Sequence, residues 1–160
     1  MPSFQLVGID PAPFVPLFDR SDRELHAIGA RRVVADATPG FPCRVSLEDA
    51  GMGEELLLLP YRHQPADSPY RSSGPIFVRR GARRPGLAPG EIPPYVSRRL
   101  LALRGYDSAG MMVAAELGEG SAAAAAIVAM FADPQVAYLH LHNPRRGCFL
   151  CRVERVADPA

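Results

Sequence analysis

The sequence predicts an α+β fold, a mostly antiparallel sheet of about six to eight short strands with two or three helices, in one domain spanning residues 1–160. Three observations carry this expectation. Strand-like segments outnumber helical ones, several lie close enough in sequence to pair antiparallel, and neither a Gly-rich dinucleotide fingerprint nor a phosphate-binding P-loop is present. A chain of 160 residues buries roughly two-thirds of the surface it exposes when unfolded, so it needs no metal or disulfide to fold.

Phe4 to Ile9 reads as the first strand, and the Pro-spaced Pro11 to Phe18 as a turn or single helical turn. Ser21 and Glu24 have capping-box spacing, which predicts a short helix to about Ala27 with Gly29 as its stop. Val33 to Ala35, Cys43 to Leu47 and Glu55 to Tyr61 are strands between Gly, Pro and Asp punctuation, and the Leu56 to Leu59 run suits a central strand buried on both faces. His63 to Gly74 is a polar, turn-rich connector leading into a strand at Ile76 to Val78. Arg79 to Pro94 is a long Gly-, Pro- and Arg-rich loop. Pro93 and Pro94 suit the opening of a helix whose apolar face is Val96, Leu100 and Leu103, ending at Gly105, with its arginines facing out. Met111 to Leu117 reads as a strand, and Ser121 as the cap of an Ala-rich helix ending near Asp133 and Pro134. Val136 to His142 and Cys148 to Val156 complete the chain as a hairpin.

The formal net charge of +1 argues against wholesale nucleic-acid or membrane binding. No segment approaches the roughly twenty apolar residues of a membrane span, and the interrupted N-terminus shows no signal-peptide pattern. Three cysteines fit a reducing compartment better than a disulfide framework, so a cytoplasmic protein is expected. All 18 basic residues are Arg. Nine of them fall between residues 62 and 104 against only Asp67 and Glu91, a local excess that suits an anionic small molecule. Aromatics for base stacking are sparse there, which disfavours a nucleic-acid platform.

Candidate chemistry concentrates in the last hairpin. Strand alternation puts Tyr138, His140 and His142 on one face and Leu139 and Leu141 on the other, so the leucines claim the core. A five-residue turn sets His142 opposite Cys148; a four-residue turn sets Asn143 opposite Cys148 and His140 opposite Cys151. Either register pairs a thiol with an imidazole, one route to a nucleophilic thiolate. The same residues also fit a small buried thiol with surface histidines. Two histidines two apart on a strand have metal-ligand spacing, and zinc would draw a third ligand from Cys148, His63 or Cys43. Cys148 and Cys151 match Cys-x-x-Cys, but strand geometry denies them the shared face or turn that a redox or zinc motif requires.

The connector from His63 to Pro75 is the second constellation. Ser72, Ser73 and Gly74 suit a turn presenting backbone N–H groups to an anion, with Arg71 adding a fork and Tyr70 beside it. The alternative is a polar linker whose side chains satisfy its own backbone.

Three blocks, Gly40 to Ala50, Ser68 to Val78 and His140 to Phe149, resemble in order those of a bacterial family known only as domain of unknown function 1203. The resemblance covers nearly the whole chain and implies a free-standing bacterial domain. It also implies that Cys43, Arg44, Arg71, His140, His142 and Cys148 are motif positions, while Cys151 falls where similar proteins have a small residue.

The leading functional expectation is a small enzyme acting on a phosphate- or carboxylate-bearing small molecule. His140, His142 and His63 are its acid/base candidates, Cys148 or Cys43 its nucleophile, and Arg44, Arg71, Ser72, Ser73, Tyr70 and Asn143 its substrate contacts. The alternatives are a non-catalytic module for an anion, nucleotide or metal, or a structural or interaction protein.

Overall fold

The computed structural model describes residues 3–157. Its strands are β1 (Ser3–Val7), β2 (Arg31–Val34), β3 (Pro42–Cys43), β4 (Glu48–Asp49), β5 (Glu55–Gln64), β6 (Ser72–Arg79), β7 (Leu100–Tyr106), β8 (Met112–Glu119), β9 (Tyr138–His142) and β10 (Phe149–Val156). They form two five-stranded sheets, sheet A in the order β1-β10-β9-β7-β8 and sheet B in the order β2-β5-β6-β3-β4. Every pairing is antiparallel except β3 with β6. The fold is α+β as expected, with ten strands where about six to eight were anticipated.

β5 is an interior strand of sheet B, between β2 and β6, and both its faces are covered, Leu56 packing with Ala35 and Ala50 on one and Leu57 with Phe14, Phe18 and Leu25 on the other. Its odd-numbered face carries Leu57, Leu59, Tyr61 and His63 in succession, so the strand runs from a packed core at one end to an imidazole at the other. Phe14, Phe18 and Leu25, the last from helix α1 (Asp22–Ala27), cover this face. The capping box that starts α1 is present, Ser21 Oγ accepting from the Glu24 N–H at 3.1 Å and Glu24 accepting in return from the Ser21 N–H at 3.4 Å.

Sheet A packs its other core. Leu101, Leu103, Leu139, Leu141 and Val153 project from it onto helix α3 (Ala123–Phe131), where Ile127 and Phe131 meet them, and onto Tyr95 and Val96 of helix α2 (Pro94–Ser97).

Three expectations are corrected by pairing partners. The helix expected to reach Gly105 stops at Ser97, and Leu100–Tyr106 is strand β7, hydrogen-bonded to β8 and β9. Leu101 and Leu103 are buried whereas Leu100 is exposed, a period of two that tertiary pairing selected over the helical spacing. Residues 44–47 form a turn between β3 and β4 rather than a strand, with Leu47 held at a φ of 53°. Ser121 lies inside a single 3-10 turn, Gly120–Ala122, and makes no cap on α3.

Candidate functional site

Three of the four histidines meet between the sheets. His140 and His142 come from β9, and His63 comes from the end of β5 where the odd face runs out of leucines. Their ring centroids are 5.1 Å apart for His63–His142, 6.0 Å for His63–His140 and 6.2 Å for His140–His142. Phe149 sits among them, stacked on His63 at 5.2 Å with its plane tilted by only 14°. It lies edge-on to His140 at 5.1 Å and to His142 at 5.8 Å. The leucines of β9 do claim the core, but the histidines are no surface residues: His140 is 1% exposed and His142 fully buried.

Each ring presents a nitrogen without a partner. His142 Nδ1 lies 2.9 Å from the Gly147 carbonyl, which accepts its proton and leaves Nε2 as a bare lone pair. That Nε2, His63 Nδ1 and His140 Nδ1 are all buried and unbonded among the described residues. Burial pushes His140 down to about 3, helped by His142, His63, Arg152 and Arg104. It pushes His142 down to about 4, against the opposing pull of the Gly147 hydrogen bond, and it lowers His63 as well, with Arg104 adding to the effect. All three are neutral imidazoles at pH 7.

Arginines flank the cluster. In register, His140 stands between Arg104 on β7 and Arg152 on β10. The guanidinium of Arg152 lies 4.0 Å over the Tyr138 ring, which stacks at 5.4 Å on Tyr106. Gln64 donates to Tyr138 Oη at 2.9 Å, and Tyr70 packs edge-on against Tyr106 at 6.3 Å. A helix from Pro93 to Gly105 would send Arg104 to solvent, whereas strand β7 sets it beside His140. The alternation Leu101, Leu103, Gly105 was the signal that could have placed it.

The thiols go elsewhere. Four residues form the hairpin turn, closed by Asn143 N–H to the Cys148 carbonyl at 2.8 Å and Gly147 N–H to the Asn143 carbonyl at 2.7 Å; Gly147 supplies the positive φ of 79°. Asn143 therefore does face Cys148. A β-bulge between Phe149 and Cys151 then shifts the register, so Cys151 lies opposite Leu141 and Arg152 opposite His140. The expected pairing of His140 with Cys151 is absent for that reason. Cys151 is buried in the sheet A core, and burial pushes its thiol up to about 12. Cys43, the other nucleophile candidate, is fully buried in the sheet B core and accepts the Arg79 N–H at 3.3 Å. It cannot meet a substrate there.

Cys148 is partly exposed and lines a cleft of about 360 Å³ together with Arg44, Asn143, Arg146, Arg99 and Phe77. Arg44 is only 3% exposed. Its Nε donates to the Phe149 carbonyl at 2.7 Å and its Nη1 to the Pro42 carbonyl at 2.6 Å, and among the described residues no carboxylate pairs with it. Arg99, by contrast, is forked onto Asp49 through both Nη groups.

The second constellation does not form the site expected of it. Ser72 and Ser73 are exposed residues of strand β6, where extended backbone leaves no concave row of N–H groups for an anion. Arg71 closes its own loop, pairing with Asp67 at 3.6 Å and donating to the Ala66 carbonyl at 3.2 Å. Tyr70 reaches the Tyr106 end of the polar face, and of this stretch only His63 joins the cluster.

The chain belongs to the family described as protein of unknown function DUF1203, whose model matches residues 40–155. No curated protein and no solved structure matches it. The matched span contains the three clustered histidines, Arg104, Arg152 and the Arg44–Cys148 cleft. No helix among the described residues is long and apolar enough to cross a membrane.

Proposed function

We propose that the protein binds a phosphate- or carboxylate-bearing small molecule in the cleft headed by Arg44, and that Cys148 is the group placed to act on it. Arg44 carries this reading. A guanidinium withdrawn from water without a carboxylate is costly, and two backbone carbonyls offset only part of that cost. A bound anion supplies the missing charge in the planar, forked geometry that arginine favours. Arg146 and Asn143 line the same cleft and add donors, whereas the charge of Arg99 is already matched by Asp49. The catalytic half of the proposal rests on the Cys148 thiol, which shares the cleft with these arginines and is the most accessible of the three cysteines. Free thiols of this kind fit a reducing, cytoplasmic setting.

The test is thermal shift and calorimetry with inorganic phosphate and with acetate at constant ionic strength. An anion that binds the native state raises its stability, by about 2.7 kcal/mol at a hundred times its Kd. Arg44→Met is expected to abolish the shift and Arg146→Ala to weaken binding about tenfold, while the exposed Arg23→Ala leaves it intact. Equal shifts in all four proteins would overturn the proposal.

A further inference from the structure

The cleft leaves the three histidines unexplained. We propose that His63, His140 and His142 together hold a divalent transition metal ion of the imidazole-preferring class, such as zinc, between the two sheets.

Convergence is the first argument. The rings come from two strands of two different sheets, and each contributes a buried nitrogen with no hydrogen-bond partner. Three orphaned nitrogens on neighbouring rings are a desolvation cost that one shared ligand removes once the rings turn toward it. His142 is oriented as a ligand is, with Nδ1–H fixed on the Gly147 carbonyl and Nε2 free to bind, the arrangement by which outer hydrogen bonds set a metal-bound histidine.

Distance is the second. Nitrogens roughly 2.0–2.1 Å from a tetrahedral zinc place imidazole centroids about 5 Å apart. The His63–His142 pair already stands at 5.1 Å. His140, at 6.0 and 6.2 Å from the other two, must approach by about 1 Å, a displacement within reach of small side-chain rotations. Among the described residues no three His, Cys, Asp or Glu side chains are already in metal-holding geometry, so this closure is part of the proposal.

Charge selects the remaining ligand. The triad is neutral and has no carboxylate, while Arg104 and Arg152 flank His140. Both arginines oppose a bare dication. They suit a metal whose fourth ligand is an anion or hydroxide, the open position that distinguishes a reactive site from a structural one.

Cobalt(II) titration of chelator-treated protein tests this without reference to activity or to the Arg44 cleft. The expected result is one equivalent bound with the intense visible absorption of four-coordinate cobalt, displaced by zinc. His63→Gln, His140→Ala and His142→Ala should each weaken binding at least tenfold, with the exposed His26→Ala as control. His63 is the least buried of the three, so His63→Gln keeps the test decisive if the β9 variants do not fold. Failure to bind cobalt at micromolar concentration, a six-coordinate spectrum, or an undiminished affinity in His63→Gln would overturn the proposal. Phosphate binding that survives His63→Gln but not Arg44→Met separates the two sites.

Discussion

The two faces of sheet A are built on opposite principles, one almost wholly buried and the other buried at its histidines but partly open at Tyr138, Arg104 and Arg152. Toward α2 and α3 the sheet offers Leu101, Leu103, Leu139, Leu141 and Val153, and the Tyr95 hydroxyl on that side donates to the Leu150 carbonyl at 2.9 Å. Toward sheet B it offers His140, His142, Arg104 and Arg152, with one imidazole nitrogen of each histidine left unpaired and a third on His63 facing them from sheet B. One face lowers the free energy of the fold by excluding water from apolar surface. The other retains buried polar atoms at a cost, which is the pattern that both proposals above build on.

The largest expected effect lies on the apolar face. Leu141→Ala should cost about 2–5 kcal/mol in urea unfolding and leave phosphate affinity of the folded protein unchanged. A loss of affinity without a loss of stability would invert the assignment of the two faces.

Acid should act through the other face. The unfolded chain protonates its histidines near pH 6.5, whereas His140 and His142 stay neutral in the native state down to about 3 and 4. Between those limits the unfolded state binds more protons. Stability present above pH 6.5 is thus lost as pH falls, at up to about 1.4 kcal/mol per pH unit for each histidine. His63, Arg104 and Arg152 around His140, and Arg104, His63 and Arg44 around His142, oppose protonation and so extend the loss to lower pH, with the Gly147 hydrogen bond pulling the other way at His142. In metal-free protein the double variant His140→Gln with His142→Gln should show a shallower acid slope than Leu141→Ala. An unchanged slope would break the comparison.

The smallest effect is read as a stoichiometry. A thiol reagent should label Cys148 alone in the native protein and all three cysteines in denaturant, because Cys43 and Cys151 are fully buried. Saturating phosphate should slow the native reaction if the anion occupies the Cys148 cleft.

Much of this was legible in the residues. The capping box of α1, the leucine run of β5 and the leucine face of β9 follow from local rules that tertiary structure left in force, whereas the turn length stood open between four and five residues until the ladder fixed it at four. The site was half legible. His140, His142 and His63 were read from strand spacing and from a polar connector, and Arg44, Asn143 and Cys148 do share a cleft. Arg104 was missed because Val96, Leu100 and Leu103 satisfy helical spacing, and only pairing with β8 and β9 decides for the strand. Cys43 is a nucleophile candidate that the fold buries, because a thiol packs as readily as a small apolar side chain. Sequence also does not announce a bulge.

That bulge has a consequence for oxidation. By adding one residue between Phe149 and Cys151 it turns the Cys151 sulfur toward the helices, while Cys148 opens on the cleft at the seam. A Cys148–Cys151 cross-link then requires this end of β10 to give up its extended backbone, because three residues of strand rise roughly 10 Å and a disulfide spans Cα atoms no more than about 7 Å apart. Mild oxidants meet an outward Cys148 first. Oxidation of the folded protein is expected to stop at that thiol, and an internal Cys148–Cys151 bond would be a chemical record that β10 had lost its strand structure.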